Sequence, residues 1–417
     1  MSIIVTGADG YLGWPTALRI ANNTQDRVVL VDNFGRREWV KSVGSTSAVP
    51  LASIDDRLEA AEDTLGITNL SFVEGDLTDR AFVDHLLSVH EPDTIVHTAA
   101  QPSAPYSQIN GERANFTQHN NLQATRNLLW GLHENGLENT HFIETTTTGV
   151  YGAPEFPIPE GGATMENQGD RDDVPFPAMA GSWYHLTKSH DAANMRLAHK
   201  QFDIPISDVR TAITYGTETE ETAADPRLAT RFDFDYYFGV VTHRFCAQAV
   251  AGYPMTVYGK GKQRKPFIAL EDAVEGLARL ALDDPDFRPD DHVVYNQVTR
   301  AISIVEIAET IADVADEFDL DVAVKHFENP RDEDETHKME IENDRYADLI
   351  DGQSTTFEEG VRQILGTLVD YEDTVTAHED RFLPSVLTDN ENDDTVVEFE
   401  DSGSSETVQS PTSAGDE

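Results

Sequence analysis

Tyr184 and Lys188 stand four residues apart in the stretch SWYHLTKSH, so on a helix they share one face. An ammonium beside a phenol stabilises the phenolate, and a tyrosine so placed is a usable base near neutral pH. Upstream, the run THFIETT leads into TTTTGVYG, which delivers Thr147 at the end of a strand, toward the same substrate hydroxyl. A YxxxK spacing also arises by chance, and an ordinary strand threonine and a solvated helix lysine are the bland readings of these residues. A third feature sits at the start of the chain, where SIIV is followed by TGADGYLGWP and Gly7, Gly10 and Gly13 fall three apart. Gly7 ends the first strand and Gly10 lets the backbone approach a pyrophosphate. Gly13 lets the next helix pack closely on the sheet with its first amides facing the anion. A plain strand-to-helix turn is the alternative. The second strand ends in Asp32, about twenty residues on, where a carboxylate accepts from a ribose 2'-hydroxyl and repels a 2'-phosphate. This selects NAD over NADP, with Arg36 and Arg37 as the residues that could reverse the choice. Asp76 in EGDLTD ends the third strand, where it either accepts from the adenine amino group or caps the following helix.

These residues require a frame that gathers strand ends along one edge. IIVTG, RVVLVD, LSFVEGD, DTIVHTAA, THFIETT and ISDVRTAITYG read as buried strands, and residues 11–23, 79–89, 118–135 and 183–202 read as helices between them. The alternation predicts an α/β fold, a Rossmann-type doubly wound parallel sheet with helices on both faces. Beyond residue 216 the order is less regular, with helices expected at 236–251, 271–282 and 304–317 and a short strand at MTVYG. That portion predicts a smaller α/β substrate-binding cap. The expected division is a NAD-binding domain over 1–216 carrying Thr147, Tyr184 and Lys188, and a mainly cap-forming portion over 217–387 with segments returning to the first domain. Residues 388–417 contain ten acidic residues and no basic one, which reads as a disordered acidic tail.

Composition narrows the partners. The 417 residues carry 76 Asp and Glu against 30 Lys and Arg, a formal net charge of -46. Nucleic acid and anionic membranes are thereby unexpected partners. The excess runs along the whole chain, as in proteins kept soluble at high salt, and points to a halophile of archaeal type. At molar salt the Debye length is about 3 Å, so only groups in direct contact decide which anion binds. A single cysteine, Cys246, excludes an internal disulfide and a thiolate metal cluster, and the 14 histidines show no ligand spacing, so no metal is expected. With no long apolar run and no leader pattern, a cytoplasmic location is expected.

On these residues the chain resembles the extended short-chain dehydrogenase/reductase superfamily of nucleotide-sugar epimerases and dehydratases, and within it, more closely, the UDP-sulfoquinovose synthase family. The shared segments are GADGYLGW, VDNFGRR, QPSAPYS, TQHNN, SWYHLTKSHD, RFDFDYYFG, HRFCAQA, TVYGKG, ENPR and LPSV. The resemblance implies Thr147, Tyr184 and Lys188 as catalytic residues. It implies NAD contacts from Gly7, Gly10, Tyr11, Leu12, Gly13, Asp32, Asn33, Arg36, Asp76, Leu77, Thr98, Ala99, Asn121 and Lys188. Arg36 of DNFGRR would then grip the adenosine ribose without implying NADP. Substrate contacts are implied for Gln101, Ser103, His185 and Arg244, and Arg331 of ENPR would pair with the UDP phosphates. Homodimers packed through helices such as 118–135 and 183–202 are also implied.

The chain departs from that family at Pro102, where an arginine is usual, and at Val150, where a glutamate is usual; both changes remove polar groups from the expected site. Arg210 and Lys265 are the candidate cations to replace them for sulfite. The implied reaction oxidises C4 of UDP-glucose, loses water from C6, adds sulfite to the resulting 5-ene and returns hydride to C4. A UDP-sugar 4-epimerase or dehydratase is the first rival, TTGVYG being closer to an epimerase than to a 4,6-dehydratase. A non-catalytic NAD-binding regulator is the second, though it has no need of Thr147, Tyr184 and Lys188 together.

Overall fold

The first strand, β1 (Ser2–Thr6), is buried at all five positions. A strand covered on both faces needs apolar, β-branched residues throughout rather than alternation, and SIIVT supplies them. The computed structural model describes residues 1–176, 178–282, 289, 291–327 and 339–383; Arg331 and the acidic stretch 388–417 lie outside the described residues. Around β1 run β2 (Arg27–Asp32), β3 (Leu70–Glu74), β4 (Thr94–His97), β5 (His141–Thr147), β6 (Ile206–Thr211) and β7 (His292–Gln297). They pair in the order β7-β6-β5-β4-β1-β2-β3, every neighbour parallel. The order reverses beside β1, and in such sheets the ligand crevice lies at the carboxyl ends of the strands at that reversal. Gly7, Asp32, Asp76, Thr98 and Thr147 all lie at or just past such ends.

The helix Gly13–Asn23 begins where the glycine turn ends, leaving Tyr11 and Leu12 in the turn itself. Helices Arg80–His90 and Trp183–Phe202 are capped by the Asp79 and Ser182 side chains. The predicted 118–135 helix is longer, Gly111–Glu134, because the Asn110 side chain accepts from Arg113 N and starts it about two turns early. The predicted 236–251 helix is shorter, Val241–Val250. Asp235 turns the preceding chain by accepting from the amides of Tyr237 and Phe238.

The strand expectations change in three places. The stretch ISDVRTAITYG is not one strand: β6 stops at Thr211, and Ile213–Tyr215 belongs to a separate sheet with Arg264–Ala269 and Arg300–Ser303. The large sheet gains a seventh strand from residues 292–297, and an exposed hairpin over Gly162–Asn167 and Asp170–Pro175 was not expected. The apolar core divides likewise. One cluster lies under β1 and includes Trp14, Leu277 and Tyr346; another fills the cap around Phe232, Phe245, Phe267 and Leu365. Helix Leu270–Ala281, late in the chain, contributes to the first cluster. Among the described residues no helix is long and apolar enough to cross a membrane.

Candidate active site

At the carboxyl ends of the strands, between sheet and cap, lies a cavity of about 450 Å³. Its floor is the glycine turn. Gly7 has φ 72°, and a Cβ there would lie 2.6 Å from Ala99 N. A Cβ on Gly13 would meet Gly7 O at 2.2 Å, and Gly10 N donates to Gly7 O at 2.9 Å. No side chain caps the helix Gly13–Asn23, whose N-cap position is Leu12. Trp14 N donates to Gly10 O at 3.4 Å and Pro15 has no amide hydrogen, so the amides at the cavity floor are those of Leu12 and Gly13, where a pyrophosphate would lie.

Asp32 lines the cavity and is held by two amides, Asp9 N at 2.9 Å and Phe34 N at 2.6 Å. Burial pushes its pKa up to about 6 despite those bonds. Both nearby guanidiniums are committed to other carboxylates. Arg36 pairs with Asp233 at 2.7 Å and lies 4.3 Å over the Phe238 ring, while Arg37 pairs with Asp9 at 2.6 Å. Asp233 is shared with Arg231 and Asp9 with Arg57, so a 2'-phosphate beside Asp32 would meet that carboxylate and two guanidiniums already held elsewhere. Asp76 lines the cavity with its carboxylate turned to Thr78 N and Oγ1; the helix cap is Asp79, which corrects the capping alternative for Asp76. Tyr11, Leu12, Asn33, Leu77, Thr98 and Ala99 also line the wall.

Thr147, Tyr184 and Lys188 face the same cavity from two elements, β5 and helix Trp183–Phe202. Thr147 Oγ1 accepts from Gly149 N at 3.1 Å. Gly149 itself makes room: a Cβ there would lie 2.4 Å from the His185 ring, which also lines the cavity. Burial raises the Tyr184 pKa above its ordinary value; Lys188 and Arg36 lower it, and Asp191 and Glu144 raise it further. The lysine is not devoted to the tyrosine, as the spacing had suggested. Lys188 Nζ lies 3.1 Å from Glu144 Oε1 and 3.9 Å from Asp191 Oδ2, all three side chains being buried. Burial disfavours the ammonium, but these two carboxyls outweigh it and raise the Lys188 pKa. Glu144 and Asp191 were missed from sequence. The available signal was a glutamate inside the otherwise apolar strand start HFIE.

Three expected contacts are corrected. Asn121 is buried off the cavity wall, its amide spent on the Gln101 backbone and Thr187 Oγ1; its neighbour Asn120 reaches the wall instead. Gln101 is likewise fully buried, its side chain between Ser103 O and Thr117 Oγ1. Arg210 is drawn away by Asp208, 3.1 Å from its Nε, and by the Tyr151 ring 4.9 Å beneath it, so it does not replace a cation at Pro102. Pro102 lines the wall; Val150 is buried in a small apolar cluster with Tyr151 and Ile158. Ser103 reaches the cavity, but its hydroxyl caps a short helix and bonds Tyr237 O. Arg244 and Lys265 line the cap side. Among the described residues no cluster of ligating side chains could hold a metal.

The model of the NAD dependent epimerase/dehydratase family matches residues 3–296. The chain is similar to the chloroplastic UDP-sulfoquinovose synthase of Spinacia oleracea, 36% identical over 92% of this chain and 78% of that one. It is similar to the UDP-sulfoquinovose synthase of Sulfolobus acidocaldarius, 38% identical over 81% of this chain and 84% of that one. Among solved structures, the UDP-glucuronic acid 4-epimerase of Bacillus cereus, in complex with UDP-glucuronic acid and NAD, superposes with a TM-score of 0.64. It is 20% identical and covers 90% of this chain and 100% of its own, a likeness of fold.

Proposed function

The chain belongs to the NAD dependent epimerase/dehydratase family, and from that premise we propose that it converts UDP-glucose and sulfite to UDP-sulfoquinovose and water. The observation that carries this reading is similarity above 35% to two UDP-sulfoquinovose synthases across both the sheet and the cap. NAD is the cofactor, and the glycine cradle, the uncapped helix start and Asp32 fit it. When bound, its nicotinamide accepts hydride from C4 of the sugar and later returns it.

In this reading the Tyr184 phenolate takes the proton of the 4-hydroxyl while Thr147 Oγ1 hydrogen-bonds the same oxygen. Lys188 supplies the positive charge that the phenolate needs, and His185 lies against the sugar. The resulting 4-ketone acidifies the C5 proton, water leaves from C6, and sulfite adds to the 5-ene. Arg244 and Lys265 are the cap cations facing the anionic parts of the substrates, the diphosphate and the sulfite. Residues 1–216 hold the cofactor and 217–387 form most of the cap. Helices Gly111–Glu134 and Trp183–Phe202 pack side by side, leaving Trp130 at 47% and Leu197 at 52% exposed, which supports a homodimer built on this face. The spread of acidic residues supports a protein of a salt-rich, archaeal-type cytoplasm.

A 4-epimerase is the second reading, favoured by Pro102, which puts an apolar ring on the wall. Mass spectrometry of the product from UDP-glucose, with and without sulfite, separates the two. The synthase yields a sulfite-dependent product heavier by the elements of SO2. Sulfite-independent UDP-galactose overturns it.

A further inference from the structure

Three ionisable groups are sealed behind the site: Glu144 on β5, and Lys188 and Asp191 one turn apart on helix Trp183–Phe202. Glu144 and Asp191 are 0% exposed and Lys188 2%. Lys188 Nζ bonds Glu144 Oε1 at 3.1 Å, with Asp191 Oδ2 at 3.9 Å. Thr125 Oγ1 reaches Glu144 Oε1 at 3.4 Å from helix Gly111–Glu134. Glu144 Oε2 and both Asp191 oxygens are buried with no hydrogen bond of good geometry from the surrounding protein. Two carboxylates against one ammonium would leave a net negative charge with no water to solvate it. A proton held between the carboxyls removes that charge and bridges two of the three orphaned oxygens.

We propose that Glu144 and Asp191 are positioning residues for the reaction: they share one proton, their remaining negative charge fixes Lys188, and through Lys188 they set where Tyr184 ionises. The proposal deepens the reading above and rests on it for the role of Tyr184 as base. Four further groups surround the cluster. Asp208 on β6 faces Glu144 but is bonded to Arg210, and Arg36 faces Tyr184 but is paired with Asp233. His97 on β4 touches Thr125 and Thr6 and is kept neutral by burial, its pKa near 3; His190 faces Asp191. Burial pushes both the Glu144 and the Asp191 carboxyls upward, the direction that a proton retained between them requires. When that proton leaves, the added negative charge opposes the phenolate. Tyr184 and the carboxyl pair therefore titrate against one another.

The test is a pH titration of the NAD-loaded protein carrying 13C at tyrosine Cζ, with Tyr184 assigned from the Tyr184→Phe variant. Glu144→Gln keeps the shape but, once the native pair has lost its shared proton, carries one negative charge in place of two, and should lower a Tyr184 midpoint that lies above that loss by about one pH unit, the order expected for a unit charge several ångströms away. Asp191→Asn should shift it in the same direction, and Glu144→Asp should restore the native midpoint. An unmoved or raised midpoint in the amide variants, equal shifts in Glu144→Gln and Glu144→Asp, or failure of both amide variants to fold overturns the proposal. The measurement needs no sugar substrate, so it stands apart from the sulfite reading. If the acid limb of kcat/KM fails to follow the Tyr184 midpoint, the fault lies with Tyr184 as base instead.

Discussion

Replacing Gly7 by alanine tests the glycine cradle at the point where two strands and the cofactor floor meet. Gly7 has φ 72°, and a left-handed conformation costs an L-residue roughly 1–2 kcal/mol. The new Cβ would lie 2.6, 2.7 and 2.8 Å from Ala99 N, Ala99 Cα and Thr98 C, all backbone atoms just beyond β4. Relief requires the ends of β1 and β4 to part by several tenths of an ångström, although Thr98 N is bonded to Thr6 O at 3.2 Å and Gly7 N to Val31 O at 2.9 Å. Such overpacking costs about 1–3 kcal/mol more. Gly66 is the matched control: φ 70°, but nothing within 4 Å of a Cβ. Gly66→Ala should lose only the conformational part and keep its NAD. Gly7→Ala should lose two to three times as much stability by denaturant titration, and should be isolated with little NAD because the shifted turn misdirects the amides near Gly10 and Gly13. If Gly7→Ala matches Gly66→Ala in both stability and NAD content, the steric argument for the cradle is wrong.

Tyr184→Phe should retain its fold and bound NAD yet lose turnover by about 10² to 10⁴-fold, measured with UDP-glucose, since only the ionisable oxygen is removed; a near-native rate would place the base elsewhere. NAD affinity should be flat above pH 6 and fall toward tenfold per unit below it. Asp32 has a pKa of about 6, and its carboxylate, not its acid form, is the group that receives ribose hydroxyls. Isothermal titration between pH 5 and 8 checks this, Asp32→Asn being expected to bind weakly with no such dependence.

The ends of the strands were the most legible part of the sequence. SIIV followed by three spaced glycines has few other folded solutions, and apolar β-branched runs in a parallel sheet advertise themselves. The pair Tyr184 and Lys188 was legible for the same reason, since a helix repeats its faces every four residues. What escaped was decided by tertiary partners. Nothing local to ISDVRTAITYG tells the chain to change sheets at Ala212; the change is made by pairing with residues 264–269, over fifty positions later. Arg210 looked like a cation for the substrate because its charge was visible and Asp208 and Tyr151 were not recognised as its partners. Asn121 and Gln101 were polar residues near the right place, but the Asn121 side chain bonds the Gln101 backbone and the Gln101 side chain turns to Thr117 instead of facing the cavity. Gly149 signals in retrospect the ring of His185 that fills the space of its missing side chain.

The seventh strand carries a consequence for how the chain is made. β6 pairs along its whole length with β7, from Ile206 opposite His292 to Thr211 opposite Gln297. While the ribosome is still adding the cap, β6 is therefore a bare sheet edge, and its backbone can pair with any passing strand. It carries Asp208 and Arg210, an ion pair set into that edge, and inward charges at an unpaired edge discourage wrong partners. The NAD-binding half is thus not a unit that can be finished first and handed over. Its sheet closes only after some eighty further residues have emerged, so fold completion of the catalytic half is tied to synthesis of the half that covers it.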